Sequence, residues 1–281
     1  MHIIAVLNHK GGVGKTTTAL NVSSFLAERD HRVLVIDLDS QRSASLTMGV
    51  PRHVLDERPS SADLLYRQST VERARYSDRW ENLDLIPASM DIAHAGVRLD
   101  TSSDGPWRLH TALNKPEVES EYDAIVLDCP PSVSVVTLNA LLASDSLIIP
   151  TAPSYLSLEG LQSLGKVIDS TRSTYNTPIT IAGIVLTMMD ATDSETQAAA
   201  HQLRTHYGKK VFDTSIPKDP ALEHAAAHHQ SIFSYAPELK GARGYAALTE
   251  EITQRWKHYD TVLSGIRNVS SSYDNPSSPL L

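Results

Sequence analysis

Short apolar runs separated by stretches of helical periodicity dominate the first two thirds of the chain. Six runs that lack polar alternation predict buried strands, over Ile3–Leu7, Arg32–Leu38, Leu83–Pro87, Tyr122–Asp128, Ser146–Pro150 and Ile179–Leu186. Helical patterns lie between most of these runs, the first of them over Thr16–Arg29. Apolar strands that alternate with helices predict a doubly wound, mostly parallel twisted sheet flanked by helices on both faces.

The chain has 281 residues, which fits one large α/β domain or two small ones, and the sequence shows no convincing domain boundary. We predict a single domain over residues 1–263. The segment 264–281 is polar and contains prolines, so we predict that it forms a disordered C-terminal tail.

Polar segments follow three of the predicted strands. A glycine-rich loop follows the first strand, Asp39 follows the second, and Asp128 ends the fourth. Because right-handed crossovers bring the carboxyl ends of parallel strands to one edge of the sheet, we expect these three segments to converge there.

The segment between the first strand and the first helix has the composition of a phosphate-binding loop. It reads Lys10-Gly11-Gly12-Val13-Gly14-Lys15-Thr16-Thr17. Its glycines allow a tight turn that points backbone N–H groups at phosphate oxygens, and the helix N-terminus adds partial positive charge. In such loops the last lysine, here Lys15, contacts the β- and γ-phosphates, and the hydroxyl residue that follows it, here Thr16, binds Mg²⁺. The general pattern has a glycine where this chain has His9. The segment predicts a P-loop NTPase fold that binds ATP and Mg²⁺.

This loop resembles the deviant Walker A loop of the ParA/MinD family of ATPases, and the resemblance extends over residues 2–262. In that family the first lysine of the loop, here Lys10, reaches across a nucleotide-sandwich homodimer to the phosphates of the partner. A second cation at the γ-phosphate offsets charge that develops in phosphoryl transfer. The resemblance implies Lys10 and Lys15 as catalytic lysines. It implies a nucleotide-binding loop made of Gly11, Gly12, Val13, Gly14, Lys15, Thr16 and Thr17.

Two acidic strand ends resemble the switch regions of the same family. Asp37-Leu38-Asp39 is similar to switch I, which implies that Asp39 positions the attacking water near Mg²⁺ and that Asp37 supports the site. Ser40 replaces the usual proline and Arg42-Ser43 replaces Gly-Asn, which leaves the rigidity of this loop open. Asp128 resembles the switch II aspartate, which implies that it binds Mg²⁺ through water.

The C-terminal half resembles the family in its base-binding and DNA-binding segments. Leu186–Asp190 and Ser215–Asp219 resemble the two segments that hold the adenine, which implies that Pro217 faces the ring and Asp219 its exocyclic edge. Pro237–Tyr245 is similar to the stretch that opens the last helix, where basic residues form a nonspecific DNA surface. The resemblance implies DNA contacts from Lys240 and Arg243, joined by Arg204, Lys209 and Lys210, which are nearby in sequence. An ordinary turn and a solvated helix surface remain the alternatives for these two regions.

Charge and cysteine content narrow the functional classes. The formal net charge of −8 argues against a protein that coats nucleic acid over its whole surface. The single cysteine, Cys129, excludes an internal disulfide and a cysteine-bound cluster like that of the nitrogenase iron protein. A chain with one cysteine suits a reducing cytoplasm. No run approaches the roughly 20 apolar residues of a membrane helix.

The resemblance implies a ParA-type ATPase that dimerises on ATP, binds nonspecific DNA and partitions or positions DNA or protein cargo. A ParB-like or other cargo adaptor would stimulate hydrolysis and release the ATPase, and the protein would be cytoplasmic and nucleoid-associated, without a membrane partner. The alternative is a MinD-like positioning ATPase that cycles on a membrane. That alternative requires a basic amphipathic C-terminal helix, and residues 265–281 contain one basic residue, Arg267.

Overall fold

The computed structural model describes residues 1–99 and 102–270, except for the side chains of residues 78, 79 and 257–270. Within this part of the chain, one sheet has the strand order β3-β4-β2-β5-β1-β6-β7-β8. Its strands are β1 (His2–Val6), β2 (Val33–Asp37), β3 (Tyr76–Trp80), β4 (Leu83–Ile86), β5 (Ala124–Asp128), β6 (Ser146–Thr151), β7 (Thr180–Met189) and β8 (Val211–Pro217). Every neighbouring pair is parallel except β3 and β4. The predicted doubly wound, mostly parallel sheet is confirmed.

Helices cover both faces of this sheet. In chain order they are α1 (Lys15–Ala27), α2 (Ser43–Thr47), α3 (Arg52–Glu57), α4 (Ser61–Leu65), α5 (Val71–Ala74), α6 (Ala95–Leu99), α7 (Arg108–Leu113), α8 (Pro116–Glu121), α9 (Val135–Ala143), α10 (Ser157–Tyr175), α11 (Ser194–Tyr207), α12 (Pro220–Ala227), α13 (Ile232–Tyr235) and α14 (Lys240–Ser270). Short 3₁₀ turns lie at Met90–His94, Gly105–Trp107 and Gly208–Lys210.

The sheet separates two hydrophobic cores, and β1 contributes to both. Ile3 and Ala5 pack with α4, α7, α9 and α10 on one face. Ile4 and Val6 pack with α1, α2 and α14 on the other. Alternate residues of a strand point to opposite faces, so a strand that is covered on both sides is apolar throughout. This double burial explains why the central strands appear in the sequence as uninterrupted apolar runs.

Two edge strands were not predicted from the apolar pattern. β3 pairs antiparallel with β4, and β8 pairs with β7 at the other edge. β3 contains polar residues and β8 is partly exposed, as expected for strands at the rim of a sheet, so neither forms a continuous apolar run.

The last helix extends beyond the domain end that we predicted at residue 263. α14 continues to Ser270, so the start of the predicted disordered tail is helical. The rest of that tail, residues 271–281, lies outside the described part of the chain.

The register of the central strands places three carboxyl ends side by side. Val6 of β1 pairs with Asp128 of β5, and Asp37 of β2 pairs with the same residue from the other side. The loop after β1 and the loop after β2 therefore flank Asp128. This is the convergence that the order of strands and helices predicted.

Candidate nucleotide-binding site

The loop between β1 and α1 adopts backbone conformations that require glycine. Gly12 has φ of 71° and Gly14, which precedes the first residue of α1, has φ of 83°. Glycine adopts such positive φ values without a steric penalty. None of the described side chains caps the N-terminus of α1. Its first N–H groups therefore face the loop without an intrahelical acceptor, which is the arrangement that binds a phosphate.

Buried hydrogen bonds fix this loop to the ends of β6 and β7. Asn8 donates through Nδ2 to the carbonyl of Pro150 at 2.7 Å, and its Oδ1 accepts from the N–H of Lys10 at 3.1 Å. Thr187 donates through Oγ1 to the carbonyl of Val13 at 2.9 Å. Sequence reasoning missed Asn8, and it placed Thr187 only within the predicted base-binding segment Leu186–Asp190, without this contact. The only sequence feature that marks them is a polar residue at the end of an apolar strand.

The two lysines of the loop have opposite environments. Lys15 is 8% exposed and its Nζ donates to the carbonyl of Lys10 at 3.1 Å, within the loop. Burial lowers the pKa of Lys15, while the carboxylates of Asp128 and Asp39 act in the opposite direction. Lys10 is exposed, and its Nζ donates to Ser154 Oγ in the connection between β6 and α10 at 3.1 Å. Lys15 is thus directed into the loop and Lys10 away from it.

His9 occupies the position where general P-loops have glycine. Its Nε2 is buried and has no hydrogen-bond partner among the described residues. Burial lowers the pKa of His9, and the charge of Lys15 lowers it further, so the imidazole is neutral at pH 7.

Asp128 and Thr16 offer oxygen ligands beside the loop. Thr16 donates through Oγ1 to Asp128 Oδ2 at 2.7 Å, whereas Asp128 Oδ1 is buried without a partner among the described residues. Burial and the nearby Asp37 raise the pKa of Asp128 well above its usual value. A hydroxyl and a buried carboxylate that lacks a partner fit Mg²⁺, which prefers oxygen ligands. In the described part of the chain, no three His, Cys, Asp or Glu side chains can hold a metal ion by themselves. A Mg²⁺ here would therefore keep water and phosphate ligands, as this ion commonly does.

The end of β2 is stabilised by a buried carboxylate. Asp37 accepts from the N–H and the Oγ of Ser45 at 2.9 and 2.7 Å, and from the N–H of Asp39 at 3.1 Å. Burial raises the pKa of Asp37 to about 6, against the effect of these hydrogen bonds. Asp39 is half-buried and accepts from the N–H of Gln41 at 3.0 Å. Arg42 has φ of 59°, so this chain places a non-glycine residue in the left-handed region where the family has glycine.

The residues predicted to contact the base lie at the end of β8. Asp219 accepts from the N–H of Ala221 at 3.1 Å through Oδ1 and from the N–H of Gly241 at 2.9 Å through Oδ2. Pro217 packs closely against α14, since a Cβ added at Gly244 would lie 3.1 Å from Pro217 Cδ. The carboxylate of Asp219 is thus already bonded to the backbone of two helices.

Four of the five candidate DNA contacts fall in two groups, and the fifth, Arg204, bonds to β8. Lys240 and Arg243 are exposed in the first turn of α14, beside the end of β8. Lys209 and Lys210 are exposed before the start of β8, at the opposite end of this strand. Arg204 donates to two carbonyls of β8 at 2.9 and 3.3 Å, which directs its guanidinium toward that strand. Nearness in sequence does not place these residues on one continuous surface.

The site has a glycine loop between a central strand and a helix. A buried lysine lies in this loop, and a threonine beside it bonds to a strand-end aspartate. These features define the class of P-loop nucleotide-binding proteins.

Comparisons with known proteins identify the family within this class. A family model described as AAA domain matches residues 1–181. The chromosome partitioning protein ParA of Caulobacter vibrioides is 34% identical over 255 residues, which are 91% of this chain and 95% of that protein. The sporulation initiation inhibitor protein Soj of Bacillus subtilis is 37% identical over 250 residues, 89% of this chain and 97% of that protein. The chain belongs to the ParA/Soj family of P-loop ATPases.

Solved structures share the P-loop fold of this chain. Cobyrinic acid a,c-diamide synthase from Mycobacterium smegmatis, with bound ADP and magnesium, matches with a TM-score of 0.78 at 26% identity, over 92% of this chain and 96% of that one. The cell division ATPase MinD from Pyrococcus furiosus matches with a TM-score of 0.73 at 27% identity, over 90% and 98%. The family and the fold support nucleotide hydrolysis as the general activity of this chain.

The MinD-like alternative requires a basic amphipathic C-terminal helix. That helix would fall on residues 265–281, whose side chains lie outside the described part of the chain. Among the helices that are described, none has the length and apolarity to cross a membrane.

Proposed function

We propose that this chain is a ParA-type partition ATPase. It binds Mg-ATP, forms a homodimer on ATP, and in that state binds DNA without sequence preference. The observation that carries this proposal is the divergence of the two loop lysines. Lys15 is buried within its own loop, whereas Lys10 is exposed and directed outward, where a second copy of the chain can meet it.

The chemistry of the site follows from the side chains around the loop. Lys15 and the N–H groups of the loop bind the β- and γ-phosphates. Thr16 and Asp128 would hold Mg²⁺, and the ion would supply neutralisation of the charge that develops on the phosphoryl group. Asp39 holds the attacking water, on a loop that Asp37 fixes to the start of α2.

Lys10 of the second copy adds a further positive charge at the γ-phosphate. A group supplied from another subunit makes hydrolysis depend on assembly, as an arginine finger does in other P-loop enzymes. Each of the two nucleotides in the dimer is then contacted by the lysine of the neighbouring copy.

DNA binding is assigned to exposed basic side chains. Lys240 and Arg243 lie beside the carboxyl end of β8, and Lys209 and Lys210 form a second group at the amino end of that strand. Contacts of this kind go to phosphates and read no bases. The affinity should fall by roughly 0.9 log unit per phosphate contact for each log unit of salt.

A cargo-bound adaptor, ParB-like or of another kind, ends the cycle by stimulating hydrolysis. The chain has a net charge of −8, which suits an adaptor with a basic segment. Relatives named for chromosome partitioning support cargo positioning as the role, in a cytoplasmic and nucleoid-associated protein.

The test compares two lysine variants with a matched control. Sedimentation with a nonhydrolysable ATP analogue should show a dimer for the parent. Lys10→Ala should bind the analogue but stay monomeric, and Lys15→Ala should lose nucleotide binding. Lys115→Ala removes an exposed lysine far from the loop and should match the parent. A parent that stays monomeric, or a Lys10→Ala variant that dimerises normally, contradicts the proposal.

DNA binding is tested separately in a variant that retains ATP. Asp39→Ala should block hydrolysis and trap the dimer on DNA, so that DNA retention persists with ATP. If this variant forms no dimer with ATP and is not retained on DNA, the proposed role is refuted. Flotation with vesicles containing anionic lipid, at the same protein concentration, should give no binding, and nucleotide-dependent binding would favour the membrane-cycling alternative.

A further inference from the structure

One carboxylate, that of Asp219, caps two helices at once. Its Oδ1 accepts from Ala221 in the first turn of α12, and its Oδ2 accepts from Gly241 in the first turn of α14. These N–H groups have no intrahelical acceptor, and a negative charge at a helix N-terminus is stabilising. The close approach of Pro217 to Gly244 adds a second contact between the end of β8 and α14. The position of the first turn of α14 therefore depends on the end of β8.

The end of β8 is connected by hydrogen bonds to the phosphate loop. Thr187 on β7 donates to the carbonyl of Val13 in the loop at 2.9 Å. Two residues further along β7, the carbonyl of Met189 accepts from the N–H of Lys218 at 2.9 Å. Lys218 directly precedes Asp219. A contiguous set of short contacts thus extends from the phosphate loop, through β7, to the first turn of α14.

We propose that Asp219 is a positioning residue that couples nucleotide state to DNA affinity, by fixing the turn of α14 that carries Lys240 and Arg243. This inference rests on the proposed function. A carboxylate has about four acceptor positions, and the backbone of the two helices occupies two of them. A base that donates a hydrogen bond to Asp219 leaves this clamp intact. Because ADP and ATP carry the same base, the difference between the two nucleotide states reaches Asp219 from the γ-phosphate, through the phosphate loop and β7. A γ-phosphate that shifts the phosphate loop therefore shifts the first turn of α14, which carries Lys240 and Arg243.

The test measures a ratio of DNA affinities. The affinity for a short duplex is determined by fluorescence anisotropy at one fixed salt concentration, with a saturating nonhydrolysable ATP analogue and with saturating ADP. Asp219→Asn places an NH₂ group against a backbone N–H and should lower the ratio of the two affinities about tenfold. A residue that only stabilises the fold would weaken DNA binding equally in both nucleotide states and leave the ratio unchanged.

Thermodynamic linkage gives a second readout. In the parent, the analogue should increase the affinity for DNA by some factor over the affinity measured with ADP. Bound DNA should increase the affinity for the analogue, relative to the affinity for ADP, by the same factor. In Asp219→Asn both factors should fall together. A fall in nucleotide affinity without a fall in these factors would identify Asp219 as a base contact only and overturn the coupling role.

A second variant perturbs the same joint without changing the carboxylate. Gly244→Ala introduces a Cβ 3.1 Å from Pro217 Cδ and should also lower the ratio. Two controls match these changes. Asp193→Asn removes an aspartate that caps α11 alone, and Gly165→Ala adds a methyl group in α10, where no atom lies within 4 Å. Both controls should keep the ratio of the parent.

The outcomes separate the two proposals. If the parent shows no ATP-dependent DNA binding, the proposed function fails and the coupling role fails with it. If the parent binds DNA preferentially with the analogue and both Asp219→Asn and Gly244→Ala keep its ratio, the coupling role alone is overturned.

Discussion

Thr187→Val provides a direct test of how the phosphate loop is held. Thr187 Oγ1 donates to the carbonyl of Val13 at 2.9 Å, and both residues are only 1% exposed. Valine has nearly the same shape as threonine, so the packing of the β7 end should persist. The substitution removes the donor and leaves the buried carbonyl of Val13 without this partner.

The size of the effect follows from that lost hydrogen bond. Leaving a buried acceptor unsatisfied costs about 1–3 kcal/mol. If the bond mainly holds the loop in its phosphate-binding conformation, the cost appears in nucleotide affinity, as a weakening of about five- to 150-fold. If it supports the empty loop equally, the cost appears in the free energy of unfolding.

Two measurements distinguish these possibilities, namely the Kd for a fluorescent ATP analogue and the urea unfolding midpoint without nucleotide. Thr171→Val is the matched control, because Thr171 Oγ1 also donates to a carbonyl at 2.9 Å, that of Val167, but does so within α10. We expect both quantities to stay close to the parent in this control. The role that we assign to Thr187 would be refuted if its variant matched the control in both measurements.

Three further predictions concern charges and strain. Burial acts to raise the pKa of Glu251, but two backbone N–H groups of β8 and Arg255 outweigh it and hold the pKa below its usual value. Glu251→Gln should therefore lower the free energy of unfolding by about 2 kcal/mol at pH 7, a difference that disappears as the pH falls through the folded pKa. Glu250→Gln, which removes an exposed ion pair, should change the free energy of unfolding by less than about 0.5 kcal/mol in the same urea titrations. His229→Gly relieves a left-handed conformation at an exposed side chain and should raise the free energy of unfolding by about 0.5–1 kcal/mol, and a lower urea midpoint would contradict this account. Asp128→Asn removes a buried charge, so it should be at least as stable as the parent without nucleotide while losing ATP hydrolysis in a phosphate-release assay.

The sequence was informative where a structural requirement is local or where burial is complete. The central strands are buried on both faces, so each is a continuous apolar run such as Val33-Leu34-Val35-Ile36. The phosphate loop needs positive φ values, which restricts it to glycine at Gly12 and Gly14.

The features that sequence reasoning missed are long-range contacts. Asn8 bonds to a carbonyl 142 residues away, and Thr187 bonds to one 174 residues away. Nothing near either residue in the sequence specifies that partner. The DNA candidates show the converse. Lys210 and Lys240 belong to one part of the sequence, but the full length of β8 and the helices α12 and α13 separate them in the structure.

The electrostatics of the site restrict the kind of ligand that suits it. Burial raises the pKa of Asp37 and of Asp128, and it lowers the pKa of Lys15, so each charged form is disfavoured in the ligand-free site. A cation alone would stabilise the carboxylates but disfavour the ammonium of Lys15 further. An anion alone would do the reverse. A ligand that brings both charges, with the cation beside Asp128 and the anion beside Lys15, stabilises all three ionised groups together. A nucleoside triphosphate with Mg²⁺ has this property, which is why the buried carboxylates and the buried lysine are arguments for the same ligand.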